Sequence, residues 1–199
     1  GVKYWDPQKW PGGDRSPLAA RRAIELTPDK WDLLVDVNAQ VNKDIKPMTD
    51  MKHFGTVNKW VYPDDGYGDC KAYVLQKRRK LIEADLVECV LGLGPNLFYN
   101  AAMEACVVIC RTAKPKAHKG KVLFINALNE VSRERAQSFL LDDHIERIVK
   151  AHNRFKDEPG FATVAALEQI RANAANLNMP LYVATAASSA MGAEVATSN

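Results

Sequence analysis

One cysteine of this chain stands where the local sequence could activate a nucleophile. Gly68-Asp69 is a turn and helix-cap signal, and it predicts a helix that begins at Cys70 and closes with Lys77–Leu86. A thiol in the first helical turn meets unpaired backbone N–H groups and the positive end of the helix dipole, and both lower a thiol pKa. The sequence assigns no histidine base to Cys70. The alternative is that Cys70 is a small, buried, apolar residue.

A second candidate is an aromatic loop that follows an apolar segment. Val87–Leu93 predicts a short, buried strand of the parallel-sheet type, and Gly94-Pro95 ends it. The loop that comes next contains two adjacent aromatic residues, Phe98 and Tyr99. Their chemistry depends on whether they face solvent or pack in the core.

The spacing of the cysteines and histidines does not fit a metal site. No two cysteines form C-x-x-C, and no two histidines form H-x3-5-H. We therefore expect reduced thiols in a cytoplasmic protein. Cys106 and Cys110 point to the same side of one predicted strand, and this spacing predicts two buried thiols.

Composition and charge limit the functions that this chain can have. A net charge of +3 over 199 residues permits contact with nucleic acid but does not argue for it. No apolar run approaches the roughly 20 residues that span a bilayer, so we expect no membrane partner. The chain begins at Gly1 without a signal-like segment and ends in a small-residue tail. We therefore expect a fragment in which residues 184–199 are disordered.

The hydrophobic pattern predicts an α/β chain. Thr27-Pro28 opens a helix that Pro47 stops. Ala105–Cys110 and Lys121–Asn126 are predicted strands, and the basic turn between them indicates a hairpin. Ser132–Ala151 predicts a long helix, and the stretch from Val164 predicts a short strand or turn followed by a small helix.

The first half of the chain resembles bacterial transglutaminase-like cysteine proteinases. The match covers roughly residues 26–84, and its G-D-C core is specific. Its segments are V-N-x-x-V-N at Val37–Asn42, I-K-P-M-T-D at Ile45–Asp50 and W-V-Y-P-D-D-G-Y-G-D-C-K-A-Y-V-L-Q-K-R-R at Trp60–Arg79. The resemblance implies that Cys70 is the nucleophile. The histidine and aspartate strands of that family are not recognisable here, so we expect this half to be inactive as a protease.

The second half resembles the modification (methylase) subunit of type I restriction–modification systems. Several separate motifs appear in the family's order over residues 77–183. They are K-R-R-K-L-I-E-A-D-L-V-E-C-V-L-G-L-G-P-N-L-F-Y-N at Lys77–Asn100, G-K-V-L-F-I-N-A at Gly120–Ala127, F-L-L-D-D-H-I-E-R-I-V at Phe139–Val149, P-G-F-A-T-V-A-A-L-E-Q-I at Pro159–Ile170 and N-L-N-M-P-L-Y-V at Asn176–Val183.

This second resemblance implies an adenine-N6 DNA methyltransferase that uses S-adenosylmethionine. Its partners would be DNA and the specificity and restriction subunits. Such an enzyme flips its target base out of the duplex, because the N6 atom cannot be reached inside the stack. The resemblance places an aromatic residue that stacks on the extruded adenine at Phe98, with Tyr99 beside it. The alternative is that both residues pack in the core.

Two motifs of the methylase family are missing from the sequence. There is no glycine-rich F-x-G-x-G-like cofactor turn before the strand at Val87, and no Asn-Pro pair occurs anywhere in the chain. We therefore name no cofactor-binding residue and expect a chain that is incomplete and inactive alone. The expected fold is α/β (α+β overall). A papain/transglutaminase-like helical and loop segment, residues 1–84, is joined at 77–84 to the C-terminal half of a Rossmann-like methyltransferase sheet with a β-hairpin and flanking helices.

Two other functions are compatible with the same residues. One is a cysteine peptidase in which Cys70 takes its base from His118, His144 or His152 of the second half. The other is a non-enzymatic interaction fragment, in which residues 87–183 bind a partner through the unpaired edge of a half-sheet. The exposed apolar surface of such a half-sheet predicts low solubility or self-association.

Overall fold

A computed structural model describes residues 28–98, 101–134 and 137–184 of the protein. The chain divides into two compact units, residues 1–36 and 37–199. Of the first unit, only the beginning of one helix is described. The predicted disorder from residue 185 onward concerns residues outside the described ones. No described helix is long and apolar enough to cross a membrane.

The described residues form five α-helices, two short 3-10 helices (Lys116–His118 and Met179–Leu181) and eight strands. The helices are α1 (Pro28–Asp44), α2 (Asp50–Phe54), α3 (Cys70–Glu83), α4 (Asp142–Arg154) and α5 (Leu167–Ala172). The strands are β1 (Lys46–Pro47), β2 (Tyr67–Gly68), β3 (Val87–Leu93), β4 (Ala105–Cys110), β5 (Lys121–Ala127), β6 (Ser132–Arg133), β7 (Ser138–Phe139) and β8 (Ala162–Ala166). The predicted helix at Pro28, the helix start at Cys70 and the strands β3 and β4 are confirmed.

A four-stranded mixed sheet is the centre of the second unit. Its strand order is β4-β3-β5-β8, with β3 parallel to β5 and the two outer strands antiparallel to their neighbours. Apolar clusters cover both faces: one contains Phe124 and Ile82 of α3, and the other contains Leu123 and Ala151 of α4. Because both of its faces are covered, β3 is a nearly continuous apolar run, as its sequence predicted.

The predicted hairpin between β4 and β5 is wrong. Strand β3 lies between them: β4 pairs with β3 in antiparallel register, and β5 pairs with β3 in parallel register. The antiparallel neighbours in sequence are therefore β3 and β4, joined by the loop that carries Phe98. The basic segment after β4 crosses over the end of β3 and does not fold back on β4.

The predicted helix over Ser132–Ala151 begins ten residues too early. Strands β6 and β7 occupy the first part of that segment, and α4 starts only at Asp142. The side chain of His144 accepts a hydrogen bond from the backbone N–H of Leu141 at 3.2 Å, and Asp142 and Asp143 lie at the positive end of the helix. These three residues are the start signal of α4, although their charge resembles that of a solvated helix face.

The junction predicted at residues 77–84 lies inside α3. This helix runs without a break from Cys70 to Glu83, and Ile82 near its end is fully buried in one of the two core clusters. Upstream of the helix, the Tyr62 hydroxyl donates to the carbonyl of Ala174 at 2.7 Å. Residues on both sides of the junction therefore belong to the second compact unit.

An ion pair between Asp85 and Lys114 joins the chain segments at one end of the sheet. Lys114 Nζ donates to Asp85 Oδ1 at 2.6 Å and to the Lys121 carbonyl at 2.8 Å, and the N–H of Gly120 donates to Asp85 Oδ2 at 2.9 Å. The Lys114 side chain is only 2% exposed. The first lysine of the segment predicted as a basic turn is therefore buried. A buried ammonium needs its partners, because desolvation of an unpaired charge is costly.

We predict that Asp85→Ala lowers the free energy of unfolding by about 3 kcal/mol, the low end of the range for breaking a buried pair. The substitution leaves the Lys114 ammonium buried with a single carbonyl acceptor. Urea unfolding followed by circular dichroism measures the loss. Asp64→Ala is the matched control, because Asp64 pairs with Arg79 but its side chain is 72% exposed. This control should cost less than about 1 kcal/mol. Equal losses in the two variants would contradict the role of the buried pair.

Candidate functional site

The carboxyl ends of the parallel strands β3 and β5 lie side by side at one end of the sheet. In open α/β sheets, ligands bind in the crevice outside these ends. The loop from Gly94 to Glu104 leaves β3 there, and the segment Leu128–Val131 leaves β5 beside it. The two segments touch: a Cβ added to Gly94 would lie 2.6 Å from the Leu128 carbonyl oxygen and 2.9 Å from a methyl of Val131. Gly94 is therefore needed for the close approach.

Backbone hydrogen bonds position the loop after β3. The N–H of Asn96 donates to the Ala101 carbonyl at 3.2 Å, and the N–H of Ala101 donates to the Phe98 carbonyl at 3.0 Å. Ser138 of β7 donates to the Asn96 carbonyl at 2.9 Å. Asn96 has a φ of 61°, a left-handed conformation that asparagine tolerates better than most residues. The loop is thus fixed to the small β6–β7 ribbon.

Phe98 is exposed on this loop. Its side chain is 54% accessible, so the alternative that Phe98 packs in the core is wrong. An exposed aromatic ring at the carboxyl end of a parallel strand is available to stack on a flat ligand. Tyr99, the other residue predicted for base stacking, lies outside the described residues.

Cys70 lies at the first position of α3 and is exposed. The alternative reading as a buried apolar residue is therefore wrong. Asp69 caps the helix by accepting from the Lys71 N–H at 3.0 Å, and the Lys71 ammonium contacts both Asp69 and the buried Asp50. These residues order the G-D-C turn. Gly68 is also required, because a Cβ there would overlap the side chain of Ala72.

Among the described residues, no hydrogen bond joins the Cys70 thiol to a histidine. His144 caps α4, and His118 and His152 lie beside Glu88. His53, which the sequence did not single out, pairs with Asp65 at 2.6 Å. The hydrogen bonds of the described histidines are therefore made to groups other than the Cys70 thiol.

Glu88 forms a polar cluster that the sequence analysis missed. Its side chain is 1% exposed within the apolar strand β3. Arg111 Nε donates to one carboxylate oxygen at 2.6 Å, His118 Nδ1 lies 3.3 Å from the other, and His152 Nε2 lies 3.8 Å away. The register shift of β3 between Val87 and Cys89 occurs at this residue. A glutamate inside a buried strand was the available signal.

Two effects act on the pKa of Glu88 in opposite directions. Burial raises the pKa of this carboxyl, but the hydrogen bonds from Arg111 and His118 and the nearby positive charge outweigh burial and lower the pKa. The carboxylate form is therefore the stable one in the folded protein. The cluster lies at the amino end of β3, whereas Phe98 follows its carboxyl end, so the two are separate features.

The other three cysteines divide into one buried and two exposed residues. Cys89 is fully buried, and burial raises the pKa of its thiol to about 12, which keeps it protonated and unreactive at neutral pH. Cys106 and Cys110 are exposed, so the prediction of two buried thiols on β4 is wrong. Within residues 28–98, 101–134 and 137–184 no strand pairs with the second side of β4, and Val107 and Val108 of this strand are also exposed. No disulfide joins any of the four cysteines, all of which lie in the described part of the chain.

Comparisons with known proteins identify the family of this chain. The family model for N-6 DNA methylases matches residues 74–190, more than half of the chain. The chain therefore belongs to the N-6 DNA methylase family. Membership of this family implies S-adenosylmethionine as the methyl donor. The matched region includes only the last part of residues 26–84, and no comparison with known proteins shows the predicted transglutaminase-like origin of that segment.

Relatives from three organisms show how much of the family the chain represents. It is 41% identical over 109 residues to the type I restriction enzyme MjaVIII methylase subunit of Methanocaldococcus jannaschii, covering 53% of this chain and 19% of that protein. The HindI methylase subunit of Haemophilus influenzae is 33% identical over 116 residues, covering 55% and 26%. A crystal structure of the type I restriction-modification system methyltransferase subunit from Streptococcus thermophilus matches with a TM-score of 0.53 and 33% identity, covering 57% of this chain and 23% of that one. The chain thus spans about one fifth to one quarter of these relatives.

Neither the backbone at Gly94 nor the groove at the end of α4 fits S-adenosylmethionine. A nucleotide cofactor needs glycine backbone left open to it, but the space beside Gly94 is filled by Leu128 and Val131. A groove at the end of α4 is lined by Arg147, Lys150, Arg154 and Lys156 together with two acidic residues. This excess of positive charge repels a sulfonium cation. We therefore derive no chemical step through this cofactor.

We predict that Glu88→Gln removes part of the loss of stability on acidification. A folded-state pKa below the ordinary value means that the carboxylate stabilises the fold above about pH 4.3, the ordinary glutamate value. That contribution disappears as the pH falls through the lower folded-state pKa. At neutral pH the variant should also lose about 1–3 kcal/mol, because a charged acceptor of two hydrogen bonds is gone. Urea unfolding between pH 3 and pH 7 measures both effects.

Glu83→Gln on the exposed end of α3 is the matched control for this prediction. It removes the same charge without a buried partner and should leave the pH profile parallel to that of the unsubstituted chain. If the two glutamine variants show the same profile, the cluster does not stabilise the fold through Glu88.

Proposed function

We propose that the chain is part of an adenine-specific (N6) DNA methyltransferase of a type I restriction–modification system, and that it supplies the loop that receives the target base. The exposed Phe98 on the hydrogen-bonded loop after β3 is the observation that carries the proposal. Base stacking on an aromatic ring tolerates any sequence, since every base has a π-face. DNA and the specificity and restriction subunits would be its partners, in the cytoplasm.

Charge near α4 supports contact with a nucleic acid backbone. Lys150, Arg154 and Lys156 line the groove at the end of this helix. Arg147 in the same groove is held by Glu130 at 2.5 Å and Glu158 at 3.0 Å, so its guanidinium is already paired. Cationic side chains of this kind bind phosphates without reading sequence. The overall charge of +3 is small, so we expect weak and salt-sensitive binding by this chain.

We propose, as a matter of ancestry, that residues 26–84 derive from a transglutaminase-like cysteine proteinase fused to the methylase segment. The G-D-C turn and the exposed Cys70 at the start of α3 favour this origin. A cysteine peptidase is accordingly the second candidate function. It requires Cys70 to react with iodoacetamide at pH 7 much faster than Cys106, which is also exposed but lies on a strand. Equal rates of alkylation would mean that the Cys70 thiol is not activated as a nucleophile.

A third function, a non-enzymatic interaction fragment, makes a different prediction for DNA. Such a fragment would give neither DNA binding that depends on Phe98 nor fast labelling of Cys70. The two measurements together therefore separate the three functions.

We predict that Phe98→Ala weakens binding to single-stranded DNA. Loss of one base–aromatic stack costs about 1–3 kcal/mol, roughly a five- to 150-fold rise in Kd. Fluorescence anisotropy with a labelled, adenine-rich oligonucleotide at low salt measures the change. Trp60→Ala is the matched control, because Trp60 is a similarly exposed aromatic residue that precedes α3. An unchanged Kd for Phe98→Ala, or an equal loss in the control, would refute the stacking role.

We predict that the 199-residue chain alone shows no heat of binding to S-adenosylmethionine at millimolar ligand. The prediction follows from the filled space beside Gly94 and from the missing glycine-rich turn. Isothermal titration calorimetry is the measurement. Clear micromolar binding would mean that residues 1–76 contain a cofactor loop of an unrecognised form. This outcome would leave the stacking role of Phe98 untouched.

A further inference from the structure

The loop that carries Phe98 is held by the chain segment that follows β5. This base loop runs from residue 94 to residue 104, between β3 and β4, and the support segment runs from residue 128 to residue 141, between β5 and α4. They touch at Gly94, where an added Cβ would lie 2.6 Å from the Leu128 carbonyl oxygen. They touch again at Asn96, whose carbonyl accepts from the backbone N–H of Ser138 at 2.9 Å. The position of the base loop therefore depends on the support segment.

Arg147 of α4 joins the support segment to the body of the fold. Its guanidinium donates to Glu130 of the support segment at 2.5 Å and to Glu158, before β8, at 3.0 Å. The same guanidinium lies 3.9 Å from the centre of the buried Phe161 ring, which is a cation–π contact. The Phe161 carbonyl in turn accepts from the Asn126 N–H of β5 at 2.7 Å. One guanidinium therefore connects the support segment with the turn before β8 and, through Phe161, with the end of β5.

The two carboxylates that bind Arg147 differ in burial. The Glu130 side chain is 15% exposed, whereas the Glu158 side chain is 39% exposed. A carboxylate that is mostly removed from water needs a charged partner, because desolvation of an unpaired charge is costly. Without Arg147, the Glu130 carboxylate would have to move toward solvent and would draw the support segment away from the base loop. The Glu158 carboxylate could be hydrated where it is.

The chemistry of arginine suits this position. A guanidinium presents several N–H donors in a planar fork and stacks on aromatic faces, whereas a lysine ammonium is a compact point charge. Arg147 uses both properties: Nη1 and Nη2 donate to different carboxylates, and the charged group lies over the Phe161 ring. These contacts engage the side chain in holding two chain segments together.

We propose that Arg147 is a positioning residue for the target base. By pairing with Glu130 it holds the support segment against Gly94, and it thereby fixes the base loop on which Phe98 is exposed. This role rests on the proposed function, in which Phe98 stacks on the base. Arg147 acts through Glu130 and the support segment, and the base itself is contacted by Phe98.

Hydrogen exchange of the 199-residue chain, followed by mass spectrometry, tests the positioning role without DNA. Arg147→Ala should speed exchange in the base loop and the support segment at least about fivefold, because the N–H groups of Asn96 and Ser138 lose protection when the two stretches separate. Exchange in α3 should not change. Lys150→Ala is the control, since it removes another cation of α4 from the same groove and should leave exchange unchanged in all three regions. Unchanged exchange of the base loop in Arg147→Ala, or an equal rise in α3, would overturn the proposal.

A second substitution separates this pairing from a general loss of stability. Glu130→Gln removes the buried charge that needs Arg147, so adding it to Arg147→Ala should recover most of the lost protection of the base loop. Glu158→Gln in the same Arg147→Ala background is the matched control. It should recover none, because the Glu158 carboxylate is more exposed and lies outside the support segment. Absence of recovery with Glu130→Gln, or equal recovery with both substitutions, would refute the role of the Arg147–Glu130 pair.

Binding to adenine-rich single-stranded DNA connects Arg147 with Phe98. Arg147→Ala should raise the Kd at least about threefold when Phe98 is present, but less than about twofold when added to Phe98→Ala, because the stack is then already lost. Equal rises in the two backgrounds would contradict the proposal, since Arg147 would then act on phosphate directly. If Phe98→Ala alone leaves the Kd unchanged, the proposed function is refuted and so is a role of Arg147 toward the base. Hydrogen exchange then still decides whether Arg147 holds the loop.

Discussion

The buried ammonium of Lys114 constrains the whole sheet. It follows β4 in sequence, but its partners are Asp85 just before β3 and the backbone at the start of β5. Asp85 in turn accepts from Gly120. A shift of one strand relative to another would separate this ion pair, and a buried unpaired charge costs several kcal/mol. It therefore places the end of β4 and the beginnings of β3 and β5 at one end of the sheet. Because β3 and β5 both begin at this end, they run parallel. Strand β4 ends there, so it runs antiparallel to β3.

Local pattern predicted the elements better than their pairing. Apolar runs located β3 and β4 to the residue, because strands with covered or partly covered faces are continuous in sequence. The start of α3 at Cys70 followed from the cap residue Asp69. Pairing failed because a lysine in a turn resembles a solvated residue, and only the fold shows that Lys114 is buried. The start of α4 was predicted too early because the helix-start signal of Asp142 and Asp143 lies inside the segment Ser132–Ala151 that the pattern predicted as one helix.

The candidate site was predicted in part. The sequence located Phe98 on a loop after a buried strand, but its exposure depends on the hydrogen bonds of Asn96 and Ser138, which come from distant segments. It missed Glu88, because one charged residue among six apolar ones does not change the pattern of a strand. Three of its partners lie on other elements of the fold, and no local spacing relates them. The chain thus has a hydrogen-bonded loop that carries an exposed aromatic residue, and it spans 19% of the length of the MjaVIII methylase subunit.

The unbroken course of α3 across residues 77–84 has a consequence for how sequences can be joined there. Each residue added to a helix rotates everything upstream by about 100° and moves it by about 1.5 Å. Ile82 is buried in a core cluster beside the sheet. Tyr73 lies earlier in the same helix, and its hydroxyl donates to the Ile45 carbonyl at 2.7 Å. Recombination inside this helix therefore has to preserve helical phase. An insertion of one or two residues would turn Tyr73 away from its acceptor, whereas one of seven residues, close to two full turns, would restore its direction.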